Sequence, residues 1–467
     1  MELRWYQKEA VEGGLHFIKH QFNPVIVLPT GAGKSLVLAG IIEQHIAEHP
    51  RKKILLLSHV KEILEQDYNI IENQIGDIVG IFSAGLNERQ TNKPVTVGGV
   101  QSIHKLEMPK FFEKVGLVIV DECHLVNHKD VGMYRDVIRR CGCPVLGLTA
   151  TPYRLGHGYI YHGEDTVFDT LGYDGGNFEN YNRLVAEGYL SRIISKNTDL
   201  MLNLEGVRTT AGDYNSADLS DAVDQNEITE AAVQEVVKYG KNYKKWLFFA
   251  IDINHAEHIK KCLEAAGVST GIVHSKMQES GLDRSIELAL YRRGKYKAMV
   301  NVDVLTTGFD VIDIDLIAML RPTQSHTIHV QTVGRGARIA PGKNHCLFLD
   351  FAGNTERLGP INDIKITQKK KKNGKGEPIT KTCPECKVVH HPSVKECDVC
   401  GHKFEFKTKL NSQSTGAPIV REIKNGPREW IVVDKVTYSI YQNQGKSDSL
   451  RVQYHSGLNT FSEWVAF

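Results

Sequence analysis

Short, unbroken apolar runs recur along the first third of this chain, each followed by a polar turn and then by residues that are apolar on one face only. Val25-Ile26-Val27-Leu28 is the first run, and Leu36 to Ile46 behind it has helical spacing. Ile54 to Leu57, Val95 to Val100, Val115 to Val120 and Val145 to Leu148 repeat the pattern, with a helix expected from Lys61 to Ile71. A strand that is apolar at every position is buried on both faces, as in a parallel sheet covered by helices on both sides. The alternation predicts an α/β fold with a doubly wound parallel sheet, whose ligands bind where the strands end.

From Tyr153 to about Tyr243 the pattern weakens, and the stretch reads as loop and as the crossing between two lobes. A second series follows: Trp246 to Ala250, Gly271 to Ser275, Ala298 to Val300, Leu316 to Leu320 and Cys346 to Asp350 as strands. Ala256, Ile259, Leu263 and Ala266 mark one helix, preceded by Asn254 and Glu257 at capping-box spacing. Further helices are expected over Leu282–Arg293 and Thr327–Arg338. The expected organisation is one lobe over 1–194, a second over 195–360, a basic linker over 361–382 and a small segment over 383–406. A β-rich tail covers 407–467.

Composition adds bounds. A chain of 467 residues exceeds one ordinary core. No apolar run approaches the ~20 residues that span a bilayer, so no membrane is expected. The N-terminus lacks the apolar core of an export signal, which points to the cytoplasm. With 57 basic against 55 acidic residues, any nucleic-acid surface must be local. Nine cysteines without an export signal point to reduced thiols and metal rather than disulfides.

The chemistry gathers at strand ends. Pro29-Thr30-Gly31-Ala32-Gly33-Lys34-Ser35 stands between the first run and its helix, the layout of a phosphate-binding loop. Its glycines let backbone N–H groups turn inward, Lys34 reaches phosphates, and the Ser35 hydroxyl suits Mg²⁺. Leu28 stands where the general pattern has glycine. Asp121-Glu122 follows a buried run and offers one carboxylate for Mg²⁺ and one for water. Gln7 carries a donor and an acceptor that suit an adenine edge. Arg335 and Arg338, three apart, fall on one face of the expected helix.

Together these stretches resemble the motifs of superfamily 2 helicases, in the family's order over about residues 1–360. Arg4-Trp5-Tyr6-Gln7 resembles the adenine-reading motif, Pro29 to Ser35 motif I, and Ser58-His59-Val60 and Val100-Gln101-Ser102 motifs Ia and Ib. Asp121-Glu122-Cys123-His124 resembles the DExH form of motif II, and Thr149-Ala150-Thr151 motif III. Val302 to Asp310 resembles motif V, and Gln331 to Arg338 motif VI. The resemblance implies two RecA-like lobes with ATP and Mg²⁺ between them and a nucleic-acid strand across their tops. It implies that Lys34, Ser35 and Asp121 hold phosphate and Mg²⁺ and that Glu122 activates water. Gln331 would sense the γ-phosphate, with Arg335 and Arg338 as arginine fingers. Arg4 and Gln7 would face the nucleotide. Gly308 and Asp310 would link it to the strand, which Ser58, His59, Gln101, Ser102 and Thr306 would touch. His124, Thr149 and Thr151 would couple the two.

Cys383-x-x-Cys386, ten residues, then Cys397-x-x-Cys400 is a four-thiolate spacing for Zn²⁺, as in a zinc ribbon. Helicase lobes followed by such a ribbon resemble the RadD-like bacterial helicases and their phage relatives. The implied function is ATP-driven movement on, or unwinding of, DNA in repair, recombination or phage replication, with branched DNA among the candidate substrates. It would act in a bacterial or phage-infected cell, with single-strand-binding or repair proteins as candidate partners. An RNA helicase, a double-strand translocase without unwinding, and a zinc-ribbon binding module with a weak motor are the competing readings.

Overall fold

The structure is a computed structural model that describes residues 2–128, 131–154, 156–163, 165–196, 198, 200, 202, 204, 207–210, 213–215, 218–220, 226–277, 283–305, 311–364, 366, 381–382, 385, 389–390, 402, 433–441, 449–456 and 459–466. Two compact units divide the chain, Met1–Arg421 and Glu422–Phe467.

The first unit holds two parallel sheets. In chain order the first contains β1 (Pro24–Val27), β2 (Lys53–Ser58), β3 (Val79–Ser83), β4 (Glu88–Arg89), β5 (Val95–Gly99), β6 (Val115–Asp121) and β7 (Val145–Thr149). A hairpin, β8 (Tyr153–Arg154) and β9 (Gly158–Tyr159), intervenes before β10 (Thr170–Asp174). Across the sheet the order is β10-β1-β7-β6-β2-β5-β3-β4. Every pairing is parallel except β3 with β4. β1, β5 and β7 are buried at every position, as their largely apolar makeup predicts. The helix Lys61–Ile75 shows how its partners cover the sheet. It buries Ile63, Leu64, Asp67 and Ile71 at helical spacing, with Tyr68 and Ile75 packed beside them.

The second sheet contains β11 (Arg192–Lys196), then, beyond a hairpin of β12 (Thr209–Thr210) and β13 (Asp213–Tyr214), β14 (Trp246–Phe249), β15 (Thr270–Val273), β16 (Ala298–Asn301), β17 (Leu316–Met319) and β18 (His345–Asp350). Its order is β11-β18-β17-β14-β16-β15, parallel throughout. Arg192 pairs with His345, so the second sheet begins before residue 195, and the chain crosses between the sheets at about Tyr189–Ser191. The weakly patterned middle is more ordered than its sequence suggests. It supplies edge strand β10 and the helices Phe178–Ala186 and Asn226–Tyr239.

Two local expectations change. Asp252, not Asn254, caps the helix Ile253–Ala265, by accepting from the His255 N–H at 2.8 Å. The helix expected to reach Arg338 stops at Gly334. Arg335–Ala337 form a 3₁₀ turn, and Arg338 is extended, with φ −68° and ψ 138°.

Beyond the second lobe, β19 (Lys381–Thr382) and β20 (Val389–His390) pair antiparallel. Cys383, Cys386, Cys397 and Cys400, with Lys369 to Lys372, lie outside the described residues. The second unit is a β-meander of β21 (Lys435–Tyr441), β22 (Ser449–Ser456) and β23 (Asn459–Ala466).

Candidate nucleotide site between the lobes

The glycine loop leaves β1 and enters the helix Lys34–Glu48. Gly31 and Gly33 both have positive φ, 91° and 79°, where a side chain would be strained. Neither position has room either. A Cβ on Gly31 would lie 2.9 Å from Arg338 Cγ, and one on Gly33 would lie 2.7 Å from Gln7 Nε2.

The N-terminal helix Trp5–Lys19 holds this loop from behind. The Tyr6 hydroxyl donates to the Ala32 carbonyl at 2.9 Å, and Gln7 Nε2 donates to the same oxygen at 3.2 Å. Gln7 Oε1 accepts from the Arg4 backbone N–H at 3.0 Å. Gln7 is 1% exposed, so both ends of its amide are engaged within the protein. Arg4 lies over the Tyr189 ring, 4.7 Å from its centroid.

Lys34 Nζ reaches across to β6. It sits 2.5 Å from Glu122 Oε1 and 3.6 Å from Asp121 Oδ1. Glu122 occupies the left-handed region, φ 50° and ψ 49°, a costly conformation for a non-glycine residue. The turn aims its carboxylate back at the loop. Burial pulls the Glu122 carboxyl up, but Lys34 and the hydrogen bond from His124 outweigh burial and hold it well below the usual carboxylate range. The Asp121 carboxyl goes the other way: burial raises it, and Glu122 beside it adds to the rise against the pull of Lys34. The same two carboxylates overcome burial at Lys34 and raise its ammonium above the ordinary lysine value. Two adjacent carboxyls are thus driven apart in acidity, Glu122 below and Asp121 above the usual range.

His124 Nδ1 lies 3.3 Å from Glu122 Oε2 and 3.0 Å from Thr149 Oγ1. Thr149 Oγ1 in turn accepts from the Thr151 N–H at 3.0 Å. Glu122, His124, Thr149 and Thr151 form one buried polar chain from the second carboxylate to the end of β7.

The second lobe closes the cleft. Gln331, Arg335 and Arg338 line the same pocket as Thr30, Lys34, Ser35, Asp121 and Glu122. Gly334 rests on the loop, since a Cβ there would lie 2.8 Å from Thr30 Cβ. Thr327 Oγ1 donates to the Tyr153 carbonyl at 3.4 Å, and Arg284 pairs with Glu62 across the lobes.

Asp67 is a functional candidate that the motifs did not include. It is 3% exposed, lines this pocket, and accepts from the Ser35 hydroxyl at 3.4 Å. Burial, with Asp121 nearby, pushes its carboxyl well above the usual range. Its signal in the sequence is an acidic residue on a buried stripe, between Leu64 and Ile71. Tyr6, inside the stretch that resembles the adenine-reading motif, has no role of its own in the sequence reading; its hydroxyl braces the loop.

The pocket's donors fit Mg²⁺, which takes oxygen ligands. They are the Ser35 hydroxyl and three carboxylates, and Asp121 Oδ1 and Asp67 Oδ2 are buried without a hydrogen-bond partner. Not every motif residue faces the cleft. His59 and Gln101 are exposed, Ser58 is fully buried, and Ser102 Oγ accepts from the Ala84 N–H at 2.9 Å. Thr306, Gly308 and Asp310 lie outside the described residues, whereas Asp303 before them pairs with Arg321. Among the described residues no helix is long and apolar enough to cross a membrane.

The matching family models fall on the two lobes separately. The family model described as "Type III restriction enzyme, res subunit" matches residues 1–154. The model described as "Helicase conserved C-terminal domain" matches residues 229–340. Baker's yeast "Putative ATP-dependent helicase IRC3" is 26% identical over 75% of this chain, which spans about half, 51%, of the yeast protein. Phage T4 "ATP-dependent DNA helicase uvsW" is 22% identical over 72% of this chain and 66% of its own length. In fold the chain is similar to a fragment of a putative HsdR subunit of a type I restriction enzyme from Vibrio vulnificus. The TM-score is 0.57 at 18% identity, over 76% of this chain and 65% of that one. The first lobe matches the restriction-subunit model and carries the DExH stretch, the second matches the helicase C-terminal model, and relatives spanning both are ATP-dependent helicases, so across its two lobes the chain is similar to superfamily 2 helicases of the DExH form.

Proposed function

We propose that this chain is a nucleic-acid-dependent ATPase that moves along or unwinds DNA. The observation that carries the reading is the single cleft into which one lobe sends Lys34, Asp121 and Glu122 and the other sends Gln331, Arg335 and Arg338. Phosphoryl transfer needs little covalent chemistry from the protein and much positioning of charge. In this reading the loop N–H groups, Lys34 and Ser35 hold the phosphates and Mg²⁺, with Asp121 as the second metal-facing group. Lys34 leaves Glu122 as phosphate arrives, and the freed carboxylate orients water. Arg335 and Arg338 supply positive charge from the opposite lobe, and Gln331 sits beside the γ-phosphate. Arg4 borders the base, and Gln7, whose amide is engaged within the protein, braces the loop behind it through the Ala32 carbonyl. The chain Glu122–His124–Thr149–Thr151 runs from the water-activating residue to the strand end, a route for coupling hydrolysis to lobe movement.

DNA is favoured over RNA by the relative whose name specifies a DNA helicase. His59 and Gln101, both exposed, are the strand contacts proposed first, with Thr306 on the second lobe. Gly308 and Asp310 are proposed to link that strand to the nucleotide. The four cysteines are proposed to hold one Zn²⁺, on the strength of their spacing. Their position behind two helicase lobes supports a RadD-like or phage role in repair, recombination or replication inside a bacterial cell. ATP hydrolysis measured without nucleic acid and with single-stranded DNA, forked DNA, duplex DNA and RNA tests the reading. Stimulation by DNA with strand displacement on the fork is expected. Stimulation by RNA alone, or by no nucleic acid, would overturn it.

A further inference from the structure

We propose that Asp67 is a third acidic residue of the metal site, an outer carboxylate that strengthens Mg²⁺ binding by holding Ser35 and the cation's water shell. The inference rests on the ATP·Mg²⁺ reading given above and extends it to a residue outside the helicase motifs.

Three observations carry it. Asp67 stands on the core-facing stripe of the helix Lys61–Ile75, whose other buried members are Ile63, Leu64 and Ile71. An acidic residue on such a stripe is costly unless something compensates it. The compensation within the protein is incomplete. Oδ1 receives one long hydrogen bond from Ser35 Oγ, 3.4 Å, and Oδ2 is buried with no hydrogen-bond partner. Lys34 acts on Asp67, Asp121 and Glu122 alike. The first lobe therefore presents three carboxylates against one lysine. Finally, Ser35, the hydroxyl that Asp67 touches, directly follows Lys34 at the start of the loop's helix. Groups behind a metal ligand orient it and tune affinity, and losing one typically costs about 10- to 100-fold in metal binding.

The test uses the full chain and a fluorescent ADP analogue, without DNA and without turnover. Mg²⁺ is titrated against nucleotide affinity. In Asp67→Asn the Mg²⁺ concentration for half-maximal tightening should rise about 10- to 100-fold, with affinity for Mg²⁺-free nucleotide no weaker than wild type. Asp67→Glu should recover part of the loss. A melting curve without nucleotide checks the fold, and Asp67→Ser carries the same expectation should the Asn variant not fold. A folded Asp67→Asn chain with the wild-type Mg²⁺ requirement would overturn the proposal and leave the ATP reading standing. A wild-type chain whose nucleotide binding ignores Mg²⁺ would overturn both.

Discussion

Gly334→Ala isolates closure of the cleft from the chemistry inside it. Gly334 has ordinary helical angles, φ −59° and ψ −20°, so alanine suits its backbone and favours its own helix by about 1 kcal/mol. The added methyl has nowhere to go when the lobes meet. It would lie 2.8 Å from Thr30 Cβ and 3.0 Å from Thr30 Oγ1, atoms at the root of a short side chain that cannot swing aside. Overpacking of this kind costs ~1–3 kcal/mol. Since ~1.4 kcal/mol is a factor of ten, turnover should fall roughly 5- to 150-fold. Thermal stability should hold or rise slightly, because the clash exists only between lobes. Steady-state ATPase with saturating DNA, beside equilibrium ADP binding, separates the two effects. A double-mutant cycle with Thr30→Gly makes the test strict. Removing the Thr30 side chain should recover part of the loss, with a coupling of ~0.5–3 kcal/mol. Wild-type turnover in Gly334→Ala, or a loss that adds to that of Thr30→Gly without coupling, would refute closure through this contact.

Other residues give sharper single readouts. Glu122→Gln should keep ATP and Mg²⁺ binding and lose turnover by about 10²- to 10⁴-fold, whereas Lys34→Ala should weaken nucleotide binding too. Near-normal hydrolysis in Glu122→Gln would remove it as the base. Arg335→Ala should cut hydrolysis by ~10³ or more while nucleotide-free DNA binding holds, and a mutant that hydrolyses normally but no longer binds DNA would make Arg335 a strand contact. His329 is fully buried, and burial lowers its imidazole to about 4, so the folded state stays neutral where the unfolded chain takes up a proton. Its contribution is present above pH ~6.5 and is lost on acidification towards pH 4, at ~1.4 kcal/mol per unit. His329→Asn should flatten that acid limb by about one proton in unfolding curves recorded against pH, and an unchanged limb would contradict the burial argument. Cys383→Ser with Cys386→Ser should remove one zinc per chain by elemental analysis and leave basal ATPase largely intact. Zinc-free wild type purified without chelators would sink the site, and lost basal ATPase would tie the segment to the motor.

The sequence by itself determined the two parallel sheets and most of the cleft. Strands apolar at every position, such as Ile54 to Leu57, have one stable environment, a sheet covered on both faces, and local pattern reports it directly. The glycine loop and Asp121-Glu122 were legible because each is a short-range arrangement fixed by turn and strand geometry. Only the tertiary structure decided what depends on long-range contact. β10 is half-buried along its length and earns its place by pairing with β1, which no local pattern reports. Arg338 leaves the expected helix and packs against Gly31, a contact some 300 residues away in sequence. Gln7 turns its whole amide to the loop and to its own helix start. Asp67 looked like one more acid on an amphipathic helix. Its meaning comes from Ser35 and Asp121, brought beside it when the helices behind β1 and β2 pack together. Periodicity records which face of an element is buried, whereas the identity of the buried neighbour is set by the packing of segments far apart in the chain.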